Sequence, residues 1–334
     1  MQKNHKTMKT KTPIGIIGGG LGGLAAACTL AARGYRVILF ERNPWLGGKA
    51  AVLAEQGFRF DMGPTILTVP SVLRRVFAEA DRRLEDYLLD QFAPHGQAGR
   101  GYGDFMALSR RLNEISQRHF FYKPIGGLRD MFDLKSSFDP KVLGDVLAMR
   151  MGRSVAGTVR AFNRDPRIAQ MLDHFTQYVG SSPYGSPAVL CGIAHMQTDE
   201  GVWYPLGGTG AVPHALGRLA AELGVELRTD TRIRRILTRN RRVTGVETES
   251  GESIRLAAVI SNCDSVLTHR TLVEREVGAA FAKRRSYEPA CSGVVLYLGL
   301  NRRYDHLAHH DFVFSRDPHE EFDWIYRKGE PAPY

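Results

Sequence analysis

Cysteine is scarce in this sequence, and none of its cysteines forms a C-x-x-C pair. The wide spacing predicts neither a zinc site nor a disulfide framework, and it fits a reducing compartment. The four cysteines are Cys28, Cys191, Cys263 and Cys291.

Metal-ligand frames, hydrolase signatures and nucleic-acid-binding patterns are missing as well. Three histidines lie close together at His306, His309 and His310, but no second ligand cluster accompanies them, so we predict a surface loop and no metal site. No G-x-S-x-G elbow supports hydrolysis. The formal net charge is +10, yet the arginine doublets have no interleaved aromatic residues and no DNA-reading helix around them, so we predict no nucleic-acid partner.

A secretory leader and a membrane-spanning helix are not predicted either. The basic start of the chain runs into a strand-turn-helix pattern, without an apolar stretch followed by a cleavage site. Residues 13–32 carry no charge and are about long enough to cross a bilayer. Six of them are glycines, mostly clustered at 18–23, which argues against one continuous lipid-facing helix.

Those glycines form a recognisable fingerprint behind a short apolar run. The run at residues 14–17 is typical of a strand buried on both faces, and G-x-G-x-x-G follows it at once. The first glycine allows a tight turn, the second lets the backbone approach a pyrophosphate, and the third lets helix and strand pack closely. The three positions are Gly18, Gly20 and Gly23.

A glycine turn alone is weak evidence, because such clusters are often flexible turns. Here helical spacing follows from Leu24 to Ala31, then a second apolar run at 37–40, so a βαβ unit is complete. Glu41 ends that run, 21 residues after Gly20, where an acid accepts hydrogen bonds from a ribose diol. The acid disfavours a 2′-phosphate, which leaves NAD or FAD as the ligand.

Two further segments resemble a known family. E-R-N-P-W-L-G-G-K-A at 41–50 and D-M-G-P-T at 61–65 are similar to the segments that follow the βαβ unit in the flavin-containing amine oxidase and phytoene desaturase superfamily. Together with W-Y-P-L-G-G-T-G at 203–210 and V-I-S-N-C-D at 259–264, they look like the bacterial-type phytoene desaturases. The resemblance implies that the cofactor is FAD.

The same resemblance implies which residues contact FAD, but it gives no catalytic acid or base. Lys49 stands where the family more often has arginine. Lysine has the same positive charge but lacks the planar guanidinium group that makes bidentate contacts. Ile233, in a strand predicted at 232–237, stands where the family offers backbone to the adenine. The implied contacts are Gly18, Gly20 and Gly23 to pyrophosphate, Glu41 to ribose, and Arg42, Gly48, Lys49, Gly63, Pro64 and Thr65 to the remainder.

We therefore predict an α/β fold: a Rossmann-like FAD-binding domain with an inserted β-meander, plus a mostly helical substrate and membrane lobe. Helical spacing supports the lobe, for example at Phe105, Leu108 and Leu112 and at Leu143, Val146, Leu147 and Met151. Apolar runs predict the meander at 225–227, 233–237, 243–246 and 254–256, and the run at 257–261 rejoins the central sheet. The predicted domains are residues 1–90 and 201–275 for FAD, 91–200 for the helical lobe, and 276–334 for the first strands of a substrate domain.

The resemblance implies FAD-dependent desaturation of a carotenoid precursor such as phytoene, with a hydride passing to flavin N5. An apolar polyene resides in lipid, so we expect a cytoplasmic protein bound peripherally to the inner face of the cell membrane, where its excess basic charge favours anionic headgroups. An amine oxidase, a carotenoid isomerase or a retinol saturase relative remains an alternative. So does a non-catalytic nucleotide-binding remnant, because family members continue with a glycine-rich segment over the flavin ring and nothing here resembles it. The sequence does not indicate whether the protein is a monomer or an oligomer.

Overall fold

The computed structural model describes residues 11–88, 90–93, 100–121, 144–145, 147–199, 201–284, 287, 293–308 and 311–333. The chain divides into two compact units. Unit 1 contains Met1–Ala93 and Val202–Glu288, and unit 2 contains Pro94–Gly201 and Pro289–Tyr334.

The described residues form strands and helices in an order that alternates at the start of the chain. The strands are β1 (Ile14–Ile17), β2 (Val37–Phe40), β3 (Val52–Glu55), β4 (Phe58–Asp61), β5 (Leu67–Thr68), β6 (Asp90–Ala93), β7 (Val202–Pro205), β8 (Glu226–Arg228), β9 (Ile233–Arg239), β10 (Arg242–Thr248), β11 (Ser253–Arg255) and β12 (Ala258–Ser261). The helices are α1 (Leu21–Ala32), α2 (Pro70–Glu79), α3 (Arg100–Ser116), α4 (Val155–Phe162), α5 (Pro166–Asp173), α6 (Ile193–Asp199), α7 (Ala211–Glu222), α8 (Ser265–Leu267), α9 (Arg275–Arg284) and α10 (Pro318–Asp323).

Unit 1 is built on a parallel sheet with the strand order β12-β1-β2-β8. All four residues of β2 are buried, as the apolar run predicts for a strand covered on both faces. Helix α1 packs against α7 over this sheet, and the core between them includes the fully buried side chains of Ile16, Leu24, Leu39 and Leu216. The predicted βαβ unit and Rossmann-like sheet are confirmed.

The β-meander has three strands, one fewer than predicted. Strands β9, β10 and β11 form an antiparallel sheet, but the run at 225–227 belongs to β8, which pairs in parallel with β2 through Leu39 and Leu227. Gly224 and the buried Val225 precede it directly after α7, so this strand enters the central sheet before the meander starts. The run at 257–261 rejoins the sheet as predicted, because β12 pairs in parallel with β1.

Two smaller sheets complete unit 1. The hairpin β3–β4 pairs Val52 with Asp61 and turns at Gln56 and Gly57, both with positive φ. Strand β7 lies between β5 and β6, and in the backbone register Trp203 pairs with Leu67 on one side and with Phe92 on the other.

Unit 2 is helical across most of its described residues. Its core lies between α3, α4, α5 and α6 and includes Phe105, Leu112, Val159 and Leu172. This arrangement agrees with the helical lobe predicted from Phe105, Leu108 and Leu112. Leu143, Val146, Cys291, His309 and His310 lie outside the described residues.

The strands predicted within 276–334 are not found among the described residues of that segment, which contain the end of α9 and all of α10. The run at 293–300 is rich in β-branched and aliphatic residues, and Val294 is 91% exposed. A strand needs a neighbour to satisfy its backbone groups, and no described strand pairs with this run. The assignment of the two units to cofactor and substrate stays a prediction.

None of the helices within the described ranges combines the length and apolar character required to cross a bilayer. Residues 13–32 instead contain β1, the glycine turn and α1.

Candidate cofactor-binding site

The topology of unit 1 places one crevice at the end of β1. The chain leaves β1 through α1 to reach β2 on one side, whereas β12 joins β1 on the other side. In open parallel sheets, ligands bind beyond the carboxyl ends of the strands at such a change of direction. Gly18 follows β1, Glu41 follows β2, and Asn262 follows β12.

The glycine turn has the backbone geometry that its three glycines predict. Gly18 has a φ of 100°, which strongly favours glycine. A Cβ on Gly23 would lie 2.0 Å from the Gly18 carbonyl oxygen, so helix and strand approach each other too closely for any side chain. Helix α1 begins after Gly20 with no side-chain cap and no acid in its first turn. Its amino end therefore presents backbone N–H groups and a positive dipole end to an anion.

Glu41 is buried at the end of β2, with 6% of the residue exposed. Its Oε2 accepts a hydrogen bond of 2.7 Å from the Gly19 N–H, which ties the acid to the glycine turn. Its Oε1 accepts from the backbone N–H and the side-chain amide of Asn43, both at 2.9 Å. A carboxylate has about four lone-pair positions, so acceptor capacity remains for a further donor such as a sugar hydroxyl.

The second glycine pair runs beside the first. Gly47 N–H donates to the Gly19 carbonyl at 2.8 Å, and a Cβ on Gly48 would lie 3.2 Å from the Gly20 Cα. A Cβ on Gly63 would lie 2.3 Å from the Lys49 carbonyl oxygen. The structure thus connects Glu41, the glycine turn, Gly48 and Gly63 through one side-chain hydrogen bond and a series of close backbone contacts.

The remaining predicted residues occupy different surroundings. Arg42, Lys49, Pro64 and Thr65 are exposed, and the Arg42 and Lys49 side chains make no ion pair with any residue that the structure describes. Both cations are therefore free to meet phosphate oxygens. The side chain of Ile233 packs into the core with Phe40 and Val246, so it is not available to a ligand. Thr231, two residues earlier, donates its N–H to the Glu41 carbonyl at 2.8 Å.

Two polar side chains near these contacts were not among the predicted site residues. Asn262 places its side chain over the glycine turn, since a Cβ on Gly22 would lie 2.6 Å from its Oδ1. The predicted return of residues 257–261 to the central sheet was the available signal, because the next residue must lie at the carboxyl edge. Asp61 accepts a hydrogen bond from the backbone N–H of Thr209, 148 residues away in the chain, and no local sequence pattern predicts this contact.

The residues fit a dinucleotide cofactor on structural grounds alone. Gly18 has a positive φ, Gly23 has no room for a Cβ, and a buried acid with spare acceptor capacity stands beside this turn. Among the described residues, no group of three or more His, Cys, Asp or Glu side chains is arranged to hold a metal ion. The arrangement can bind the ADP end of a cofactor through backbone N–H groups, one carboxylate and two exposed cations.

Comparison with known proteins also indicates a flavin cofactor. The family model described as flavin containing amine oxidoreductase matches residues 21–326. The chain is 33% identical over 341 residues to a 4,4'-diapolycopene oxygenase from Methylomonas sp, covering 93% of this chain and 67% of the relative. It is 31% identical over 342 residues to a 4,4'-diaponeurosporene oxygenase from Staphylococcus aureus, covering 94% of this chain and 68% of the relative. The chain thus spans about two thirds of the length of these relatives.

Solved structures share the fold at low identity. An oxidoreductase from Methanosarcina mazei superposes with a TM-score of 0.55 at 20% identity, covering 81% of this chain and 64% of that chain. Putrescine oxidase bound to putrescine gives a TM-score of 0.55 at 14% identity, covering 79% of this chain and 60% of that chain. At these identities the likeness shows the fold alone.

Proposed function

Because the chain belongs to the flavin-containing amine oxidoreductase family and its cofactor is FAD, we propose that it is an oxidoreductase acting on an acyclic carotenoid. One observation carries this proposal: relatives named for diapolycopene and diaponeurosporene match 93% and 94% of the chain. The specific reaction that we propose is the desaturation of a carotenoid precursor such as phytoene.

In this proposal, unit 1 holds and orients the cofactor. Glu41 accepts from the ribose, the amino end of α1 faces the pyrophosphate between Gly18, Gly20 and Gly23, and the exposed Arg42 and Lys49 neutralise its charge. Gly48, Gly63, Pro64 and Thr65 line the remainder, and the backbone of Ile233 faces the adenine. Bound flavin supplies the capacity to accept a hydride from the substrate.

Terminal oxygenation is a second candidate, favoured by the names of the relatives. The two reactions differ in their products. Desaturation removes two hydrogens and lengthens the conjugated system, whereas oxygenation adds oxygen from a co-substrate to the carbon chain.

The test is incubation of the full chain with FAD in liposomes that contain either phytoene or diaponeurosporene. We expect phytoene to lose pairs of hydrogens by mass and to absorb at longer wavelength. A gain of oxygen on diaponeurosporene, with phytoene unchanged, supports the second candidate instead. Unchanged mass and absorption for both substrates would reject carotenoid oxidation by this chain. Flavin reduction by added amines in the same assay would favour an amine oxidase.

We also propose peripheral binding to the inner face of the cell membrane. Leu147, at the end of a helical stretch, and Met151, in the turn that follows, are 73% and 74% exposed, and Arg150 and Arg153 lie next to them in the chain. Apolar side chains flanked by basic ones suit an anionic bilayer surface.

Substituting both apolar residues, Leu147→Glu with Met151→Glu, is expected to abolish sedimentation with anionic vesicles because it removes apolar contact and adds repulsion. Val179→Glu is the matched control, since Val179 is also exposed in unit 2. Sedimentation that is equal for the double variant and the wild type would place the membrane contact elsewhere.

A further inference from the structure

Asn262 is an exposed polar residue beside the glycine turn, and its backbone is fixed on both sides. Strand β12 ends at Ser261, and the Asn262 N–H continues the pairing with β1 by donating to the Ile17 carbonyl at 2.8 Å. Two residues later, the Asp264 side chain caps α8 by accepting from the Leu267 N–H at 2.8 Å. The position of the Asn262 side chain is therefore set by the sheet and by the helix that follows.

The side-chain amide of Asn262 lies against the first turn of α1. A Cβ on Gly22 would lie 2.6 Å from its Oδ1, and a Cβ on Gly20 would lie 3.2 Å from its Nδ2. Nδ2 donates to the Gly18 carbonyl oxygen at 3.5 Å, which is longer than a typical hydrogen bond. This orientation of the amide keeps two oxygen atoms from facing each other, so Nδ2 and not Oδ1 lies beside that carbonyl.

This contact explains a glycine that the G-x-G-x-x-G fingerprint does not require. Gly22 stands at a variable position of the fingerprint and is exposed to solvent. The three atoms nearest to a Cβ placed there all belong to Asn262. The space beside Gly22 is thus occupied by the amide, and a side chain at this position would displace it.

The amide retains a hydrogen-bond donor for a ligand. An asparagine side chain has two N–H donors, and the long contact with Gly18 uses at most one of them. Gly20 is the position at which the backbone approaches the pyrophosphate in this fingerprint. A pyrophosphate held there, as proposed above, comes within reach of Nδ2.

We infer that Asn262 is a further cofactor-binding residue, whose side-chain amide donates a hydrogen bond to a pyrophosphate oxygen of FAD. The amide adds an uncharged side-chain donor to the backbone N–H groups at the amino end of α1. The inference rests on the proposed position of the pyrophosphate and not on the carotenoid reaction. Its test measures binding without turnover, so the two proposals can fail separately.

The first experiment measures the affinities of the apo chain for FAD and for ADP by calorimetry. Asn262→Ala removes the donor, so we expect both ligands to bind about tenfold more weakly, the loss of one exposed hydrogen bond to a charged group. Asn262→Asp keeps the size of the side chain but places negative oxygens beside the phosphates, so we expect about a further tenfold loss at low salt. Salt should reduce the difference between the two variants, because it screens exposed charges.

Asn301→Asp is the matched control, because it makes the same change of charge at an exposed asparagine of unit 2. It should change neither affinity. If Asn262→Asp binds FAD as tightly as the wild type does, or more tightly than Asn262→Ala does, the inference is overturned, because the side chain then does not face the phosphates.

Gly22→Ala provides an independent test through the space that the amide occupies. The new Cβ would displace Asn262, so we expect about the same tenfold loss of FAD affinity as in Asn262→Ala. In the Asn262→Ala background, Gly22→Ala should cause little further loss, since no amide remains to be displaced. Losses that simply add in the double variant would overturn the inference.

Thermal unfolding of the apo variants separates ligand contact from support of the turn. We expect Asn262→Ala and Asn262→Asp to unfold at similar temperatures while their FAD affinities differ. If their affinities instead fall only in proportion to a lowered unfolding temperature, Asn262 holds the turn without contacting the cofactor, and the inference is wrong.

Discussion

Glu41 in unit 1 and Asp173 in unit 2 are both buried carboxylates, but they differ in their hydrogen-bond partners. In unit 1, Glu41 accepts three hydrogen bonds from the turn and loop around it. In unit 2, the Asp173 side chain is fully buried, and one oxygen pairs with Arg160 at 2.8 Å while the other has no hydrogen-bond partner in the part of the chain that the structure describes. Burial accordingly raises the pKa of Asp173, against the opposing effect of the Arg160 guanidinium.

Unit 2 contains further buried polar atoms of this kind. Thr158 Oγ1 and Asn163 Nδ2 in unit 2 are also without hydrogen-bond partners among the described residues. Each such atom costs about 1–3 kcal/mol relative to a paired one. Unit 1 contains atoms of the same kind on Asp61 and Thr209, so the contrast concerns the glycine turn, where both oxygens of Glu41 are paired, and not polar pairing across the whole unit.

The largest effect should come from replacing Gly23 with alanine. The new Cβ would meet the Gly18 carbonyl at 2.0 Å, and neither backbone segment can move without separating α1 from β1. We expect loss of FAD binding and destabilisation of unit 1 by more than about 3 kcal/mol. Thermal unfolding and FAD titration measure both.

Gly103→Ala in unit 2 is the matched control, because a Cβ there meets nothing within 4 Å. It should leave FAD binding unchanged and stabilise α3 by about 0.5–1 kcal/mol. Equal behaviour of the two variants would show that the glycine cradle of unit 1 is no more constrained than an open helix position.

The next largest expected effect is a difference between the labelling rates of the buried thiols in the two units. Burial raises the pKa of Cys28 in unit 1 and of Cys191 in unit 2 to about 12. Thiolates are the reactive form, so each cysteine should react with an alkylating reagent only when its unit opens. FAD at 100 times its Kd stabilises the unit that binds it by about 2.7 kcal/mol, so Cys28 labelling should slow about hundredfold.

Cys191 labelling should keep its rate if FAD contacts unit 1 alone. Mass spectrometry of the labelled peptides follows both thiols in one sample, and a Cys263→Ser background removes the half-buried thiol of unit 1. Equal protection of Cys28 and Cys191 would mean that the two units open together, and the contrast between them would then not extend to stability.

A smaller effect is expected for Glu41→Gln. Glutamine has one acceptor oxygen in place of two, so at least one of the donors at Gly19 and Asn43 loses its partner. We expect FAD and ADP to bind about twentyfold more weakly, the loss of one hydrogen bond to a charged group. Asp173→Asn in unit 2 is the control. If Asp173→Asn reduces FAD affinity as much as Glu41→Gln does, Glu41 has no special role in FAD binding.

The same contrast explains what could be predicted from the sequence. Gly18, Gly20, Gly23 and Glu41 are set by backbone approach and spacing within one βαβ unit, so their arrangement follows from neighbouring residues. The pairing of β8 with β2 depends on contacts across more than 180 residues, such as Ile38 with Glu226. A segment as short as residues 225–227, with only two apolar side chains, carries no information about which sheet it will join.

Unit 2 was less predictable for a different reason. Apolar packing in unit 2 is satisfied by many sequences of similar volume, so the pattern at Phe105, Leu108 and Leu112 indicates helix without specifying what the helix binds. The contact of Asp61 with Thr209 was also not predicted, because a local motif carries no information about which distant loop its residues contact.

The smallest predicted effect concerns the pH dependence of unit 2. His174 lies edge-on to the rings of Phe312 and Phe314, at centroid distances of 5.3 and 6.0 Å. Burial lowers its pKa, and the Glu321 carboxylate opposes that shift. A depressed folded-state pKa contributes stability that is present above the unfolded-state value of about 6.5 and is lost as the pH falls through the folded-state value.

We therefore expect the unfolding free energy of unit 2 to decrease on acidification from pH 7 to pH 5, and His174→Gln to flatten that part of the profile. Thermal unfolding at a series of pH values measures the effect, with Gly103→Ala as the variant that should keep the wild-type slope. Because Asp173 has a raised pKa, its contribution has the opposite sign: it stabilises the fold at low pH and is lost as the pH rises. If the wild-type chain becomes more stable on acidification, the contribution of Asp173 outweighs that of His174. The pH response of unit 2 would then come mainly from the buried Asp173 carboxyl and not from the histidine that contacts Phe312 and Phe314.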